Sequence, residues 1–321
     1  MTDPSPAPLT RRAPPGHRVG HMFLALLQAM RPKQWVKNGF LFAPLVFSKN
    51  LFHGELLLRA GAGFGLFCAI ASAVYLANDV LDAAEDRKHP VKKHRPVASG
   101  RLPAAVALVA AAALAGAGLY GAFALSGAFA TILLAYLAIN AAYTLGLKRI
   151  PYVDVAVIAV GFVLRVLAGA VAIHVGASFW LFACTFCLAL FLALGKRKHE
   201  ILVATASGGD RAAARKALGR YSLAGVDRAL LMAGTSAVWT YVLYTLAPET
   251  REHFHTVLLA VTVPFPAFGV FRFMALVDRT GRASSPTEAL ITDVPFAANM
   301  ALWLVSVVAI LYWAATVVGL P

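Results

Sequence analysis

The sequence predicts an all-α polytopic membrane protein with nine transmembrane helices. Of its 321 residues, 60% are hydrophobic and 14% are charged, whereas a soluble domain carries about 25% charged residues. The apolar residues form long blocks, and about 20 mostly apolar residues are enough for a helix to cross a bilayer. The predicted spans are 38–53, 56–79, 104–125, 128–147, 153–174, 178–195, 228–247, 255–275 and 295–318. The first is short and is broken by Pro44.

The positive charges alternate between the two sides of this arrangement. The N-terminal segment and every second connection together carry 23 of the 29 lysine and arginine residues, and the opposite connections carry only Lys49 and Arg251. Cytoplasmic loops are the ones enriched in lysine and arginine. The pattern therefore predicts a cytoplasmic N-terminus and an external C-terminus. We expect residues 1–20, rich in proline, to be a disordered cytoplasmic tail and residues 21–321 to be a single transmembrane domain.

The net charge of +14 is largely explained by this topology signal. No nucleic-acid-binding motif accompanies it, so nucleic acid is not an expected partner. The three cysteines, Cys68, Cys184 and Cys187, lie inside predicted spans and are interpreted as buried thiols.

One short segment brings acidic groups to the cytoplasmic end of the second span. At about 100° per residue, Asn78, Asp79, Asp82 and Asp86 share roughly one third of a helix circumference. Carboxylates stacked in this way repel one another unless a cation lies between them. Hard oxygen ligands favour Mg²⁺ shared with substrate phosphates, so Asn78, Asp82 and Asp86 are the predicted metal ligands and catalytic residues, and Asp79 a substrate contact.

A basic loop follows this acidic segment, and Lys92 and Arg95 within it are candidate phosphate contacts. The alternative is a solvated cytoplasmic surface. That alternative explains the basic residues, but it does not explain acidic and amide groups on one helix face at the membrane boundary.

Further candidates lie elsewhere in the chain. Asp154 begins the fifth span after Lys148, and Arg165 follows about three turns later. Charged groups at such depth either bind substrate or form structural ion pairs, and both interpretations stay open. Lys37 and Asn38 are either site residues or part of an interfacial anchor.

Several segments carry a resemblance to a known family. The pattern N-D-x-x-D-x-x-x-D, from Asn78 to Asp86, resembles the first aspartate-rich motif of the UbiA superfamily of intramembrane prenyltransferases. Four further blocks resemble its decaprenyl-phosphate phosphoribosyltransferase branch: RPKQWVKN at 31–38, HPVKKHRPVASG at 89–100, YTLGLKRIPYVDV at 143–155 and LGKRKHE at 194–200. The resemblance implies nine helices around a central cavity that faces the cytoplasm. It extends to about residue 221 and implies substrate contacts at Lys196, Lys198 and Tyr221.

The segment 196–225 departs from the superfamily pattern. Typical members carry a second aspartate-rich motif there, whereas this chain has only Glu200 and Asp210 among many basic residues. A basic second site fits a bare phosphate better than a second metal. A solvated basic loop is the alternative.

The resemblance implies a pentosyltransferase that uses Mg²⁺. It would move 5-phosphoribosyl from phosphoribosyl diphosphate to a polyprenyl phosphate and release diphosphate, in synthesis of the lipid-linked arabinose donor of the bacterial cell wall. One alternative is a prenyltransferase acting on an aromatic or other acceptor. Another is a transporter, which would predict interrupted helices meeting at the bilayer midplane. The expected location is the bacterial plasma membrane, with the active site cytoplasmic, and homo-oligomerisation stays open.

Overall fold

The computed structural model describes residues 15–89, 91–206, 217–278 and 292–314, and every regular element in these ranges is helical. Within these ranges, eight helical segments are long and apolar enough to cross a membrane. They are Gly54–Leu81, Ala104–Leu125, Gly127–Leu145, Val153–Ala172, Phe179–Ala206, Leu223–Leu246, Leu258–Val277 and Val294–Trp313.

The chain divides into two compact units, 1–32 with 71–114 and 33–70 with 115–321. The first contains α1 (Pro15–Met30), the end of α3 (Gly54–Leu81), α4 (Ala83–Asp86), a 3-10 turn (Lys92–His94) and the start of α5 (Ala104–Leu125).

The second unit contains most of the spanning helices. Its α-helices are α2 (Ala43–Phe47), α6 (Gly127–Leu145), α7 (Val153–Ala172), α8 (Phe179–Ala206), α9 (Leu223–Leu246), α10 (Pro248–Phe254), α11 (Pro264–Val277) and α12 (Val294–Ala309). Its 3-10 segments are Pro32–Phe42, Leu147–Arg149, Leu218–Arg220 and Leu258–Thr262, and a π-helical turn covers Ile310–Ala314. The 3-10 segment Pro32–Phe42 begins at the last residue of the first unit.

The predicted first span, 38–53, does not form one long helix. It is divided between the 3-10 segment and the five-residue α2, and the backbone then turns at Lys49, which has a φ of 59°. Pro44 lies in the first turn of α2, where its missing N–H leaves no helical hydrogen bond unmade. The count of nine spans is therefore not confirmed, and eight candidates are present in the described ranges.

The N-terminal helix α1 overlaps the segment predicted as a tail. Residues 1–20 were assigned to that tail, and α1 begins at Pro15. Proline is favoured in the first turn of a helix for the reason given for Pro44. The prediction for residues 1–14 lies outside the described residues.

Small residues bring the helices of the second unit close together. A Cβ atom on Gly169 of α7 would overlap the backbone carbonyl of Leu41, and one on Gly195 of α8 would lie 2.5 Å from the Phe273 ring of α11. Such contacts suit helix packing in lipid. The hydrophobic effect does not drive helices together there, so close van der Waals contact between backbones contributes instead. Gly195 comes directly before the basic run at 196–198, so this packing fixes the helix that carries it.

Candidate active site

The acidic segment keeps helical geometry past the end of α3. The Asp82 amide donates to the Asn78 carbonyl over 2.9 Å, and the Asp86 amide donates to the Asp82 carbonyl over 2.8 Å. Hydrogen bonds to the fourth preceding residue preserve the spacing that places these side chains on one face. The helical periodicity predicted for this segment is confirmed.

Two carboxylates of this segment are buried in contact with arginine. Asp79 is 1% exposed and Asp86 is 4% exposed. Arg31 forms an ion pair with Asp79. Arg95 lies 2.6 Å from Asp86 and 3.5 Å from Asp79. We call these four residues the carboxylate–arginine cluster, and within it the carboxylates are neutralised by arginine.

Arg31 was not singled out from the sequence as a functional residue. It lies between α1 and the 3-10 segment with a φ of 57°, and its guanidinium stands 4.9 Å from the centre of the Tyr75 ring. A positive φ is uncommon for a residue other than glycine. Its place as the first residue of RPKQWVKN was the only signal in the sequence.

The oxygen donors of this segment suit Mg²⁺. The Oδ2 atom of Asp79 is buried and accepts no hydrogen bond, and carboxylate and amide oxygens from Asn78, Asp82 and Asp86 are the hard ligands this ion prefers. Across the described ranges, however, no three His, Cys, Asp or Glu side chains are gathered as a metal site. The residues fit the ion chemically, while Arg95 holds the Asp86 carboxylate.

In the second unit, Arg165 lies at the centre of a buried polar network. It is 6% exposed and donates to the Asn38 side chain (2.8 Å), the Gly161 carbonyl (2.7 Å) and the Tyr136 hydroxyl (3.1 Å). Asn38 in turn donates to the Cys68 sulfur over 3.2 Å. The aromatic rings that lie within 5.3 Å of its guanidinium carbon are those of Phe67, Tyr136 and Phe162.

Within the described residues, Arg165 contacts an amide, a carbonyl, a hydroxyl and aromatic faces rather than a carboxylate. Its charge is therefore stabilised by dipoles and π faces. A cation held this way inside a membrane protein is a functional candidate by default. We call Arg165, Asn38 and Tyr136 the Arg165 network.

Asp154 belongs to a different network in the same unit. Arg197 donates to its Oδ2 atom over 2.8 Å, and the Tyr221 hydroxyl donates to its Oδ1 atom over 2.5 Å. Arg197 also contacts Glu200 at 2.5 Å, and the Tyr152 amide donates to the Tyr221 hydroxyl over 2.7 Å. The structure thus shows the ion-pair alternative for Asp154, with Arg197 as the partner.

The environment of Tyr221 keeps its hydroxyl protonated. Burial raises the pKa of Tyr221, and the hydrogen bond that it donates to Asp154 raises that pKa further. The hydroxyl is therefore a lasting donor to Asp154 near neutral pH. Tyr221 was predicted as a substrate contact, and the structure places it in this internal network.

The two lysines of LGKRKHE have different surroundings. Lys198 lies 2.8 Å from Asp227 and also forms an ion pair with Asp278. Lys196 is 46% exposed at its side chain and lies 4.0 Å from Glu200, whereas the Lys198 side chain is 13% exposed. Lys196 is therefore the more exposed of the two lysines. The acidic and basic residues Asp210, Arg211, Arg215 and Lys216 lie outside the described residues.

The remaining predicted contacts are partly exposed. Lys37 lies in the 3-10 segment Pro32–Phe42, Lys92 in the turn Lys92–His94 and Lys148 in the turn Leu147–Arg149. Their contacts with a substrate stay predictions.

These features define a polytopic α-helical membrane protein with a carboxylate-rich helix end and buried arginines inside its helical units. The chain belongs to the UbiA prenyltransferase family, whose sequence profile matches residues 40–290. The resemblance found in the sequence is thereby confirmed.

Two named relatives are similar to the chain over nearly its whole length. It is 34% identical to the decaprenyl-phosphate phosphoribosyltransferase of Corynebacterium glutamicum, over 94% of this chain and 90% of that protein. It is 30% identical to the decaprenyl-phosphate phosphoribosyltransferase of Mycolicibacterium smegmatis, over 90% of this chain and 92% of that protein.

Solved structures confirm the fold. A UbiA homologue from Archaeoglobus fulgidus bound to DMAPP and Mg²⁺ matches with a TM-score of 0.66 and 19% identity, over 90% of this chain and 99% of the other. The same homologue bound to GPP and Mg²⁺ gives a TM-score of 0.68 and 17% identity, over 89% of this chain and 99% of the other. The all-helical UbiA-like fold that the sequence predicted is confirmed, while the cytoplasm-facing cavity stays a prediction.

Proposed function

We propose that this protein transfers the 5-phosphoribosyl group from phosphoribosyl diphosphate to a polyprenyl phosphate and releases diphosphate. The observation that carries the proposal is the similarity to decaprenyl-phosphate phosphoribosyltransferases over about nine tenths of both chains. The basic residues in segment 196–225, where typical prenyltransferases of the superfamily carry a second aspartate-rich motif, support it. The product would be a lipid-linked phosphoribose, and in our proposal it serves cell-wall arabinose synthesis.

The chemistry requires stabilisation of charge on the leaving group. When the bond from the anomeric carbon to diphosphate breaks, positive charge grows on the ribose ring and negative charge on the leaving oxygen. Mg²⁺, when bound, acts as a Lewis acid toward that oxygen. Asn78, Asp82 and Asp86 would hold it, and Lys92 and Arg95 would contact the phosphates directly.

The acceptor needs positioning more than activation. Its phosphate oxygen is already anionic near neutral pH, so no strong general base is required, and most of the rate comes from orientation and electrostatics. Arg165 supplies a fixed positive charge, with Asn38 and Tyr136 holding the orientation of its guanidinium. Lys196 supplies an exposed one. These two cations are our assignments for the lipid phosphate and the ribose 5-phosphate.

A prenyltransferase is the second candidate, because the family profile and the solved homologues bound to prenyl diphosphates favour it. Such an enzyme would use the same acidic segment for a prenyl diphosphate donor. It would then ignore phosphoribosyl diphosphate.

One assay separates the two candidates. Purified protein in lipid nanodiscs receives Mg²⁺, polyprenyl phosphate and phosphoribosyl diphosphate labelled in the ribose, and the lipids are extracted. We expect label in the lipid phase, and none after removal of Mg²⁺ with EDTA. A parallel reaction offers labelled prenyl diphosphate and an aromatic acceptor. Prenylation there, with no ribose label in lipid, would exclude the phosphoribosyltransferase.

We also propose that the N-terminus and the active site are cytoplasmic in a bacterial plasma membrane. A reporter fused after Pro321 should be exported, and one inserted near Gly208 should stay inside, because lysine and arginine alternate between the connections. A cytoplasmic reporter after Pro321 would indicate an even number of crossings. It would show that segment 38–53 does not span the membrane.

A further inference from the structure

In the carboxylate–arginine cluster, arginine side chains supply the positive charge that the buried carboxylates require. Asp79 and Asp86 are nearly fully buried, and arginine contacts both of them. Arg95 reaches both carboxylates, at 2.6 and 3.5 Å. These arginines remove the repulsion that the buried carboxylates would otherwise suffer.

Arg31 and Arg95 lie between helical elements, whereas Asp79 lies within α3 and Asp86 within α4. Arg31 lies at the break after α1 with a φ of 57°. Arg95 ends a three-residue 3-10 turn in an extended conformation, with φ −60° and ψ 146°. Both side chains are 29% exposed. The cations can therefore move with less disturbance than the carboxylates.

A divalent cation held by Asp86 would compete with Arg95 for the same carboxylate, and a cation that also took Asp79 would compete with Arg31. Mg²⁺ bound by Asp86 would lie within a few ångströms of Arg95, and like charges at that range repel strongly. A diphosphate relieves this conflict, since its oxygens accept paired hydrogen bonds from guanidinium. Asp79 also has a buried oxygen without a hydrogen-bond partner, which leaves its carboxylate incompletely satisfied by arginine alone.

We propose that Arg31 and Arg95 are exchangeable counter-ions of the active site. They hold Asp79 and Asp86 in the metal-free protein, and they move onto the diphosphate of the donor when the metal ion neutralises the carboxylates. Metal ion alone then binds weakly, and metal and diphosphate strengthen each other's binding. This rests on the proposed function only for the presence of a metal ion and a diphosphate, which both candidate donors share.

The first test measures metal binding without any donor. Purified protein is titrated with Mn²⁺, and the free ion is counted by electron paramagnetic resonance. Arg31→Gln and Arg95→Gln should bind Mn²⁺ more tightly than the wild type, by about 5- to 150-fold, the usual range for coupled sites. Arg31→Lys and Arg95→Lys keep the positive charge and should stay near the wild type.

Arg101→Gln is the matched control. Arg101 lies in the same unit and donates to Gln28, Ser99 and the His94 carbonyl, with no carboxylate among these partners. Its loss should leave the Mn²⁺ affinity unchanged. Thermal unfolding of each variant verifies that the protein compared is folded.

The second test measures binding of radiolabelled inorganic diphosphate at saturating Mg²⁺. Arg31→Gln and Arg95→Gln should weaken it by about tenfold, because each charged phosphate contact is lost.

A merely structural role would weaken both metal and diphosphate binding, whereas exchange predicts tighter metal binding and weaker diphosphate binding. Unchanged or weaker Mn²⁺ binding in a folded glutamine variant overturns the proposal. If Arg31→Gln does not fold, Arg95→Gln decides the matter. Failure of ribose transfer alone counts against the proposed function, and leaves this result standing.

Discussion

Arg197 of α8 and Asp154 of α7 form an ion pair of 2.8 Å that is closed to solvent at both ends, with Arg197 1% exposed and Asp154 fully buried. The Tyr221 hydroxyl, from a third element, donates a hydrogen bond to the other oxygen of the Asp154 carboxylate. Buried charges of this kind are costly to separate, because the remaining partner stays in a medium of low polarity. This pair therefore ties together two helices that carry candidate site residues.

Asp154→Asn should destabilise the protein by about 3–5 kcal/mol, since it leaves the Arg197 charge buried with only Glu200 as an acidic partner. The measurement is the free energy of unfolding from an SDS titration in mixed micelles. Lys196→Ala, which removes an exposed contact of 4.0 Å, is the control and should cost at most about 1 kcal/mol. Equal losses in the two variants would contradict the structural role of Asp154.

Tyr221 should make the stability depend on pH in the alkaline range. Burial raises the pKa of Tyr221 in the folded protein, above the value of about 10 for an unfolded chain. The stabilisation is thus complete below about pH 10 and is lost as the pH rises through the folded pKa. Wild type should lose stability above pH 10 more steeply than Tyr221→Phe, as measured by thermal unfolding from pH 8 to 11.

Tyr120 provides the control for this pH series, because it is 82% exposed on α5. Tyr120→Phe should reproduce the wild-type curve. Parallel curves for the wild type and Tyr221→Phe would show that the Tyr221 hydroxyl is not held by Asp154 in the folded protein.

Asp82→Asn and Asp86→Asn should each abolish ribose transfer while the protein stays folded in the membrane. Either change removes a carboxylate from the set proposed to hold Mg²⁺, and so exposes the charge of the leaving group. Turnover is measured by lipid extraction at ordinary Mg²⁺. Glu85→Gln, an exposed position between them, should keep most of the activity. Near-normal turnover in both aspartate variants would remove the metal-site hypothesis.

Removal of the Lys196 side chain should lower the activity, whereas removal of the Lys198 side chain should lower the stability. Lys196→Ala should lower kcat/KM by about tenfold or more, because a charge-assisted phosphate contact contributes about 1.5–3 kcal/mol, with little change in stability. Lys198→Ala should lower the Tm, since Lys198 bridges Asp227 and Asp278. Asp278→Asn, which breaks the same bridge, should lower the Tm too. A loss of kcat/KM in Lys198→Ala without a change in Tm would indicate that Lys198 contacts the substrate.

Arg165→Met should weaken phosphate binding by about tenfold or more, seen as a raised KM for the donor or the lipid phosphate. Arg165→Lys should not restore it fully, because an ammonium cannot reproduce a guanidinium that donates to three separate groups. Arg59→Met is the control, since Arg59 donates to the Ala172 carbonyl and contacts His174. An unchanged KM for both substrates in a folded Arg165→Met variant would indicate that the Arg165 network has only a structural role.

The sequence by itself determined the class of this protein. Long apolar blocks, the alternation of positive charge and the aspartate-rich pattern at 78–86 are local properties, and helical spacing alone puts Asp82 and Asp86 on one face. The family match and the eight spanning helices of the described ranges bear out the class. The division of segment 38–53 was missed, because hydropathy does not distinguish one long helix from a 3-10 segment followed by a short helix.

Only the tertiary structure decided which charges neutralise one another. Arg31 reaches Asp79 from 48 residues away, and Arg197 reaches Asp154 from 43 residues away. A side chain's partner depends on which distant elements pack together, and helical periodicity carries no information on that. The same physics gave Asp154 and Arg165 different partners although they share α7, because each buried charge is satisfied by whatever group packing brings within reach.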